Sequence, residues 1–188
     1  QRNSRDENKK IKNGVIPEGW EKPENKSKLA QKDIDADWTK KNGERHFGYK
    51  DHVKCDADSK LITNYSVTSA SVHDSQRCLV FIGQEDEVLY ADSAYSGKPI
   101  ALALPENCKN QICEKGYRNS PLTSEQKMNN RRKSRIRCRI EQIFGFMTGA
   151  MHGITIRSIG ITRAWMNIGI TNLVYNFCRY SYLKGASA

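Results

Sequence analysis

Apolar residues recur at helical spacing most clearly where Ile136, Ile140, Ile143, Phe144 and Met147 fall at i, i+4, i+7, i+8 and i+11, one face of an α-helix. Thr123, with Gln126 three residues on, has the form of a capping box, so the pattern predicts a long helix that begins there and lays this face on a core. Ile161 to Lys184 carries Trp165, Ile168, Leu173, Val174, Tyr175 and Phe177 nearly all round and ends at Gly185, the pattern of a buried helix. Period-two alternation marks Phe47 to Asp56 and again Lys60 to Val67, on either side of the turn-forming Asp56-Ala57-Asp58-Ser59, which predicts a β-hairpin. Val88-Leu89-Tyr90-Ala91 reads as a short buried strand, and Asp74 is placed to cap a short helix through Cys78, Leu79 and Phe81. A weaker helix over Lys98 to Leu104 and a strand over Gln111 to Cys113 complete the set. Gln1 to Lys32 is polar and punctuated by Gly14, Pro17, Gly19 and Pro23, so it is predicted as loop or arm. The organisation expected is a polar region over 1–45 followed by one α/β domain over 46–185.

Composition narrows the class. The 188 residues hold 31 Lys and Arg against 21 Asp and Glu, a formal net charge of +10 that favours a polyanionic partner, nucleic acid first. A hydrophobic share of 37% is enough for a core and argues against wholesale disorder. Cys55, Cys78, Cys108, Cys113, Cys138 and Cys178 lack the short even spacing of a disulfide scaffold and lack matching half-sites for zinc, so they read as reduced thiols. Without a secretory h-region or a long apolar run, the expected location is cytoplasmic and nucleoid-associated, with no membrane. The first residue is Gln1 rather than Met, which suggests a preceding segment.

The candidate chemistry rests on two acids. Asp92 ends the 88–91 strand, where ligands and catalytic acids of α/β sheets sit, and Glu141 lies on the long helix. On that helix Ser134, Arg137, Glu141 and Thr148 share one stripe, which makes Arg137 and Glu141 neighbours. From spacing alone the simpler reading of that pair is an i,i+4 surface salt bridge worth a few tenths of a kcal/mol. His73 beside Asp74 is read as turn and helix cap rather than as a dyad, and Trp20 and Trp38 as loop anchors rather than stacking platforms.

Four motifs, in order, add a resemblance. Phe47-Gly48-Tyr49-Lys50-Asp51-His52-Val53, Ala70-Ser71-Val72-His73-Asp74-Ser75, Ala91-Asp92-Ser93-Ala94-Tyr95 and Arg137-Cys138-Arg139-Ile140-Glu141 are similar to segments of bacterial insertion-sequence DDE transposases. Ile156-Arg157-Ser158-Ile159-Gly160 and Asn172-Leu173-Val174-Tyr175-Asn176 also resemble that group, so the resemblance covers nearly the whole chain. It implies a ribonuclease-H-like fold, a mixed sheet with helices on both faces, and DNA transposition by metal-dependent cleavage and strand transfer. Asp92 and Glu141 would then hold Mg²⁺ or Mn²⁺, and Arg137 would orient Glu141 or a phosphate.

The departures matter as much. In the third-acid motif Ser134 and Thr148 stand where the family has Tyr and Lys, and no acid matches the first aspartate, which with its central strand is expected before Gln1. Asp33, Asp35 and Asp37 are weak substitutes. For that reason the resemblance implies a C-terminal part that is inactive by itself; the alternative is a non-catalytic DNA-binding or transposase-associating remnant. The loss of the lysine can be offset by Arg131, Arg132, Lys133, Arg135 and Arg139, of which Arg131, Arg135 and Arg139 recur at i, i+4 and i+8 and repel one another unless a phosphate backbone neutralises them. The partners expected are duplex DNA, both element ends and target, with a homo-oligomer left open.

Overall fold

The computed structural model describes residues 2–41 and 43–186. Among them the chain is mixed α/β, with one three-stranded sheet, one parallel strand pair and helices. It divides into two compact units, one formed by the residues up to His52 with Ser66–Val72 and Thr155–Thr171, the other by Val53–Tyr65, His73–Ile154 and the residues from Asn172.

In the first unit, part of the segment expected to be loop is helical. Helix α1 (Arg5–Lys12) starts at a capping box in which the Ser4 hydroxyl accepts from Glu7 N at 3.1 Å and Glu7 Oε2 accepts from Ser4 N at 2.6 Å. A single turn, α2 (Lys26–Leu29), follows. Strand β1 (Asp37–Lys41), absent from the sequence expectation, pairs antiparallel with β2 (Glu44–Cys55) in the register Asp37 to Gly48 through Lys41 to Glu44. Gly43 in their connection has φ +86°, a conformation that glycine adopts without a Cβ penalty. Trp20 and Trp38 anchor as expected: the Trp20 indole donates to Glu7 Oε1 at 3.1 Å and the Trp38 indole to Asn3 O at 2.9 Å.

Strand β3 (Ile62–Ser69) lies beside β2, which bears out the expected hairpin, with the Asp56 carboxylate accepting from the Asp58 and Ser59 amides in the connection. In the second unit, helix α3 (Ser75–Phe81) begins after Asp74, yet the Asp74 side chain makes no cap bond; His73 Nδ1 takes that place, 2.8 Å from Ser75 Oγ and accepting from Ser75 N at 3.3 Å. Strand β4 (Val88–Leu89), helix α4 (Lys98–Ala103) and strand β5 (Lys109–Asn110) form a parallel β-α-β crossover. Its core is Cys78, Ile100 and Ile112, with Leu89, Ala91 and Tyr95 packed against them.

The expected long helix is two helices. Thr123 and Gln126 cap α5 (Ser124–Arg137) reciprocally, as predicted, but the ladder breaks at Cys138, and α6 (Arg139–Gly149) continues from there. Ile143 and Met147 on α6 are fully buried against Ile62 and Tyr175, so the predicted face is core where it lies on α6. Helix α7 (Ile161–Gly185) has the predicted bounds without the predicted all-round burial. Ala164, Ile168, Asn172 and Tyr175 are buried along one side, whereas Met166, Ile170, Leu173 and Phe177 are each more than half exposed. Apolar composition told how much of the helix is apolar, and packing chose which side is covered. No described helix is long and apolar enough to cross a membrane.

Candidate active site

The β4–β5 ladder runs past the formal strands. Gln111 N donates to Leu89 O at 2.9 Å and Cys113 N to Ala91 O at 3.0 Å, so Asp92 is the first residue beyond a parallel pairing, as the sequence predicted. It caps the single turn Ser93–Tyr95, its Oδ1 accepting from Ala94 N at 2.7 Å. Burial, and then the carboxylates of Asp74 and Asp92, push the Tyr95 hydroxyl above its ordinary value, so both acids act on one phenol. Tyr95 belongs to the same family-like motif as Asp92, and Asp74 to another of the four.

Helix α5 is fastened beside this strand end. Lys133 Nζ donates to Ile112 O at 2.9 Å, Asn130 both accepts from Glu114 N and donates to Glu114 O, at 2.9 and 3.0 Å, and Ser134 Oγ lies 3.8 Å from Cys113 Sγ. These contacts run from the residue that pairs with Ala91 to the helix that leads into Glu141.

Glu141 sits in the first turn of α6, its side chain 63% exposed, and Arg137 reaches its Oε1 at 2.8 Å. The i,i+4 neighbours are thus paired, though the stripe on which they were placed is broken between them. Thr148 turns its hydroxyl back onto Phe144 O at 2.8 Å. Among the basic residues, Arg131, Arg132 and Arg135 are exposed on α5, Lys133 is held on Ile112 O, and Arg139 opens α6 with a 3.3 Å ion pair to Asp58. Of the expected outer stripe, Arg131 and Arg135 lie on α5, and Arg139 is the first residue of α6, past the break at Cys138.

In the first unit the three weak substitutes are all committed to structure. Asp33 accepts from the Tyr49 hydroxyl at 2.7 Å and from Gly160 N at 3.1 Å; Asp35 accepts from Ile161 N at 2.9 Å; Asp37 takes Asn8 Nδ2 at 2.6 Å and the Lys12 ammonium. Burial pushes the Asp37 carboxyl up, but Lys12, Ser71, Asn8 and the Trp38 amide outweigh it and hold it below its ordinary value. Among the described residues, no three His, Cys, Asp or Glu side chains come together as metal ligands.

A family model described as the transposase DDE domain matches residues 19–177, most of the chain. The chain belongs to that family. This DDE transposase domain is 34% identical over 117 residues to a transposase for insertion sequence element IS1106 from Neisseria meningitidis serogroup B. The match covers 61% of this chain and 40% of that transposase, so it spans less than half of the relative's length. No solved structure matches the chain. Family membership agrees with the insertion-sequence resemblance; at the two positions where the third-acid motif departs, Ser134 rests against Cys113 and Thr148 bonds to its own helix.

Proposed function

We propose that the chain acts in DNA transposition, as the part of a transposase that binds duplex DNA at element ends and target and contributes two of the acids for metal-dependent cleavage and strand transfer. Asp92 and Glu141 would hold Mg²⁺ or Mn²⁺, Arg137 would steer the Glu141 carboxylate, and Arg131, Arg132, Lys133, Arg135 and Arg139 would contact the DNA. The proposed parent fold is the ribonuclease-H-like mixed sheet. The observation that carries the reading is the chain of contacts from Asp92's strand end through Cys113 and Ser134 to the α5–α6 segment bearing Arg137 and Glu141.

Carboxylate oxygens are the donors that Mg²⁺ and Mn²⁺ prefer, so these two acids fit the ion in kind. They fall short in number, because among the described residues no three His, Cys, Asp or Glu side chains come together. A bound ion would activate water or a 3′ hydroxyl and stabilise charge on the phosphate; the protein's own residues would place the carboxylates and grip the backbone. Two carboxylates offset only half the charge of two divalent ions, so these 188 residues alone are expected to nick DNA at background. The same shortfall favours the second reading, a non-catalytic DNA-binding or transposase-associating role. A chain completed with a segment that supplies a third acid should nick plasmid DNA with Mg²⁺ or Mn²⁺ and lose that activity in Asp92→Asn and Glu141→Gln. Nicking that survives both substitutions sinks the assignment of these acids.

A further inference from the structure

Helix α5 carries six cations against one acid, buries none of its 14 residues and is about 21 Å long at 1.5 Å per residue. Among the described residues, its hydrogen bonds to the segment after β5 come from one side, from Asn130, Lys133 and Ser134. At 100° per residue the opposite side presents Met128, Arg132 and Arg135, with Arg131 next to them. Met128 is 51% exposed, and among the described residues none of the three arginines makes an ion pair. Open clefts flank the helix on both sides. One of about 420 Å³ is lined by Arg132 and Lys133, the other of about 600 Å³ by Lys127, Arg131 and Arg135.

A helix that only brushed a phosphate backbone would need cations on one flank. A helix lying in the major groove has a sugar–phosphate strand along each flank and base edges at its crest, and the groove, about 12 Å wide, admits one α-helix. We propose that α5 enters the major groove of duplex DNA and reads sequence. Arg132 and Arg135 pair with guanine edges, Met128 packs on a thymine methyl group, and Lys127, Arg131 and Lys133 border the two backbones. The inference rests on the chain acting on DNA, and adds that this helix selects which DNA.

The chain is incubated with a pool of short duplexes of randomised centre, the bound fraction is sequenced, and the enriched duplex is then compared with a scrambled one for the chain and for Arg132→Lys and Arg135→Lys. The lysine variants keep the charge and lose the two-pronged fit to guanine. The expected result is an enriched motif containing guanine, binding blocked by methylation of guanine N7 within it, and a preference over the scrambled duplex that falls roughly ten- to a hundredfold in each variant. Binding without enrichment, a preference that survives both substitutions, or indifference to N7 methylation overturns groove reading by α5 while leaving DNA binding intact. Absence of binding to any duplex at low salt overturns the DNA reading itself, and this inference with it.

Discussion

The Arg137 guanidinium meets Glu141 at 2.8 Å across the break at Cys138, so this ion pair joins α5 to α6 rather than decorating one helix. Its electrostatic worth is small, because Glu141 is mostly exposed and an i,i+4 surface pair contributes about 0.3–0.5 kcal/mol. Arg137→Ala should therefore hardly shift a thermal melt. In a chain completed for catalysis it should lower nicking far more than stability, and equal small effects on both would leave Arg137 a surface residue.

Salt dependence tests the basic helix. Arg131, Arg132 and Arg135 are exposed and, among the described residues, without ion pairs, so replacing all three by Ala removes cations that DNA would neutralise. The slope of log K against log salt should flatten by roughly 1 to 3. If titrations of chain and variant give the same slope, the DNA-binding surface is elsewhere.

The half-buried Tyr49 meets the buried carboxylate of Asp33. The Tyr49 hydroxyl lies within 2.8 Å of both Asp33 oxygens, and Asp33 is only 8% exposed. Tyr49→Phe takes a donor from a buried carboxylate and should cost about 1–3 kcal/mol in a urea melt. Burial first, then Asp33, pushes the Tyr49 hydroxyl above its ordinary 10, so the folded state holds this proton more tightly. The contribution is then fully present below pH 10 and lost as pH rises beyond it.

Glu7 runs the other way. Burial raises its carboxyl, but the Ser4 amide, the Lys32 ammonium and the Trp20 indole outweigh that and hold it at about 2. Its stabilising effect is present above the ordinary value of 4.5 and is lost as pH falls toward 2. Glu7→Gln should melt earlier than the parent chain at neutral pH, with the gap closing between pH 5 and about 2. A gap independent of pH would mean that the charge on Glu7 does not matter.

The thiols should separate by reactivity. Cys178 is exposed, whereas burial, with Asp56 adding to it, pushes Cys55 up to about 11, and burial also raises Cys78 and Cys108. Since the thiolate is the nucleophile, iodoacetamide at pH 8 should label Cys178 well before these three, as read by peptide mass. Early labelling of Cys55 would contradict its burial against Ile62, Ile143 and Met147.

What the sequence by itself determined was local or carried by motif. The Thr123–Gln126 box, the strand that stops at Asp92, the β2–β3 pairing and the bounds of α7 all follow from capping chemistry and periodicity, and the family followed from ordered motifs. Helix α1 was equally legible, since Ser4 and Glu7 have the same capping form, but the prolines and glycines after it outweighed that signal. The break at Cys138 was not legible: the apolar spacing crosses it without a gap, and only the structure shows where α5 ends and where α6 lays Ile143 and Met147 on Ile62 and Tyr175. Tertiary structure likewise decided that Asp33, Asp35 and Asp37 meet Tyr49, Gly160, Ile161 and Lys12, partners up to 127 residues away in the chain. Carboxylates look alike in sequence, and only folding decides which donors each of them meets.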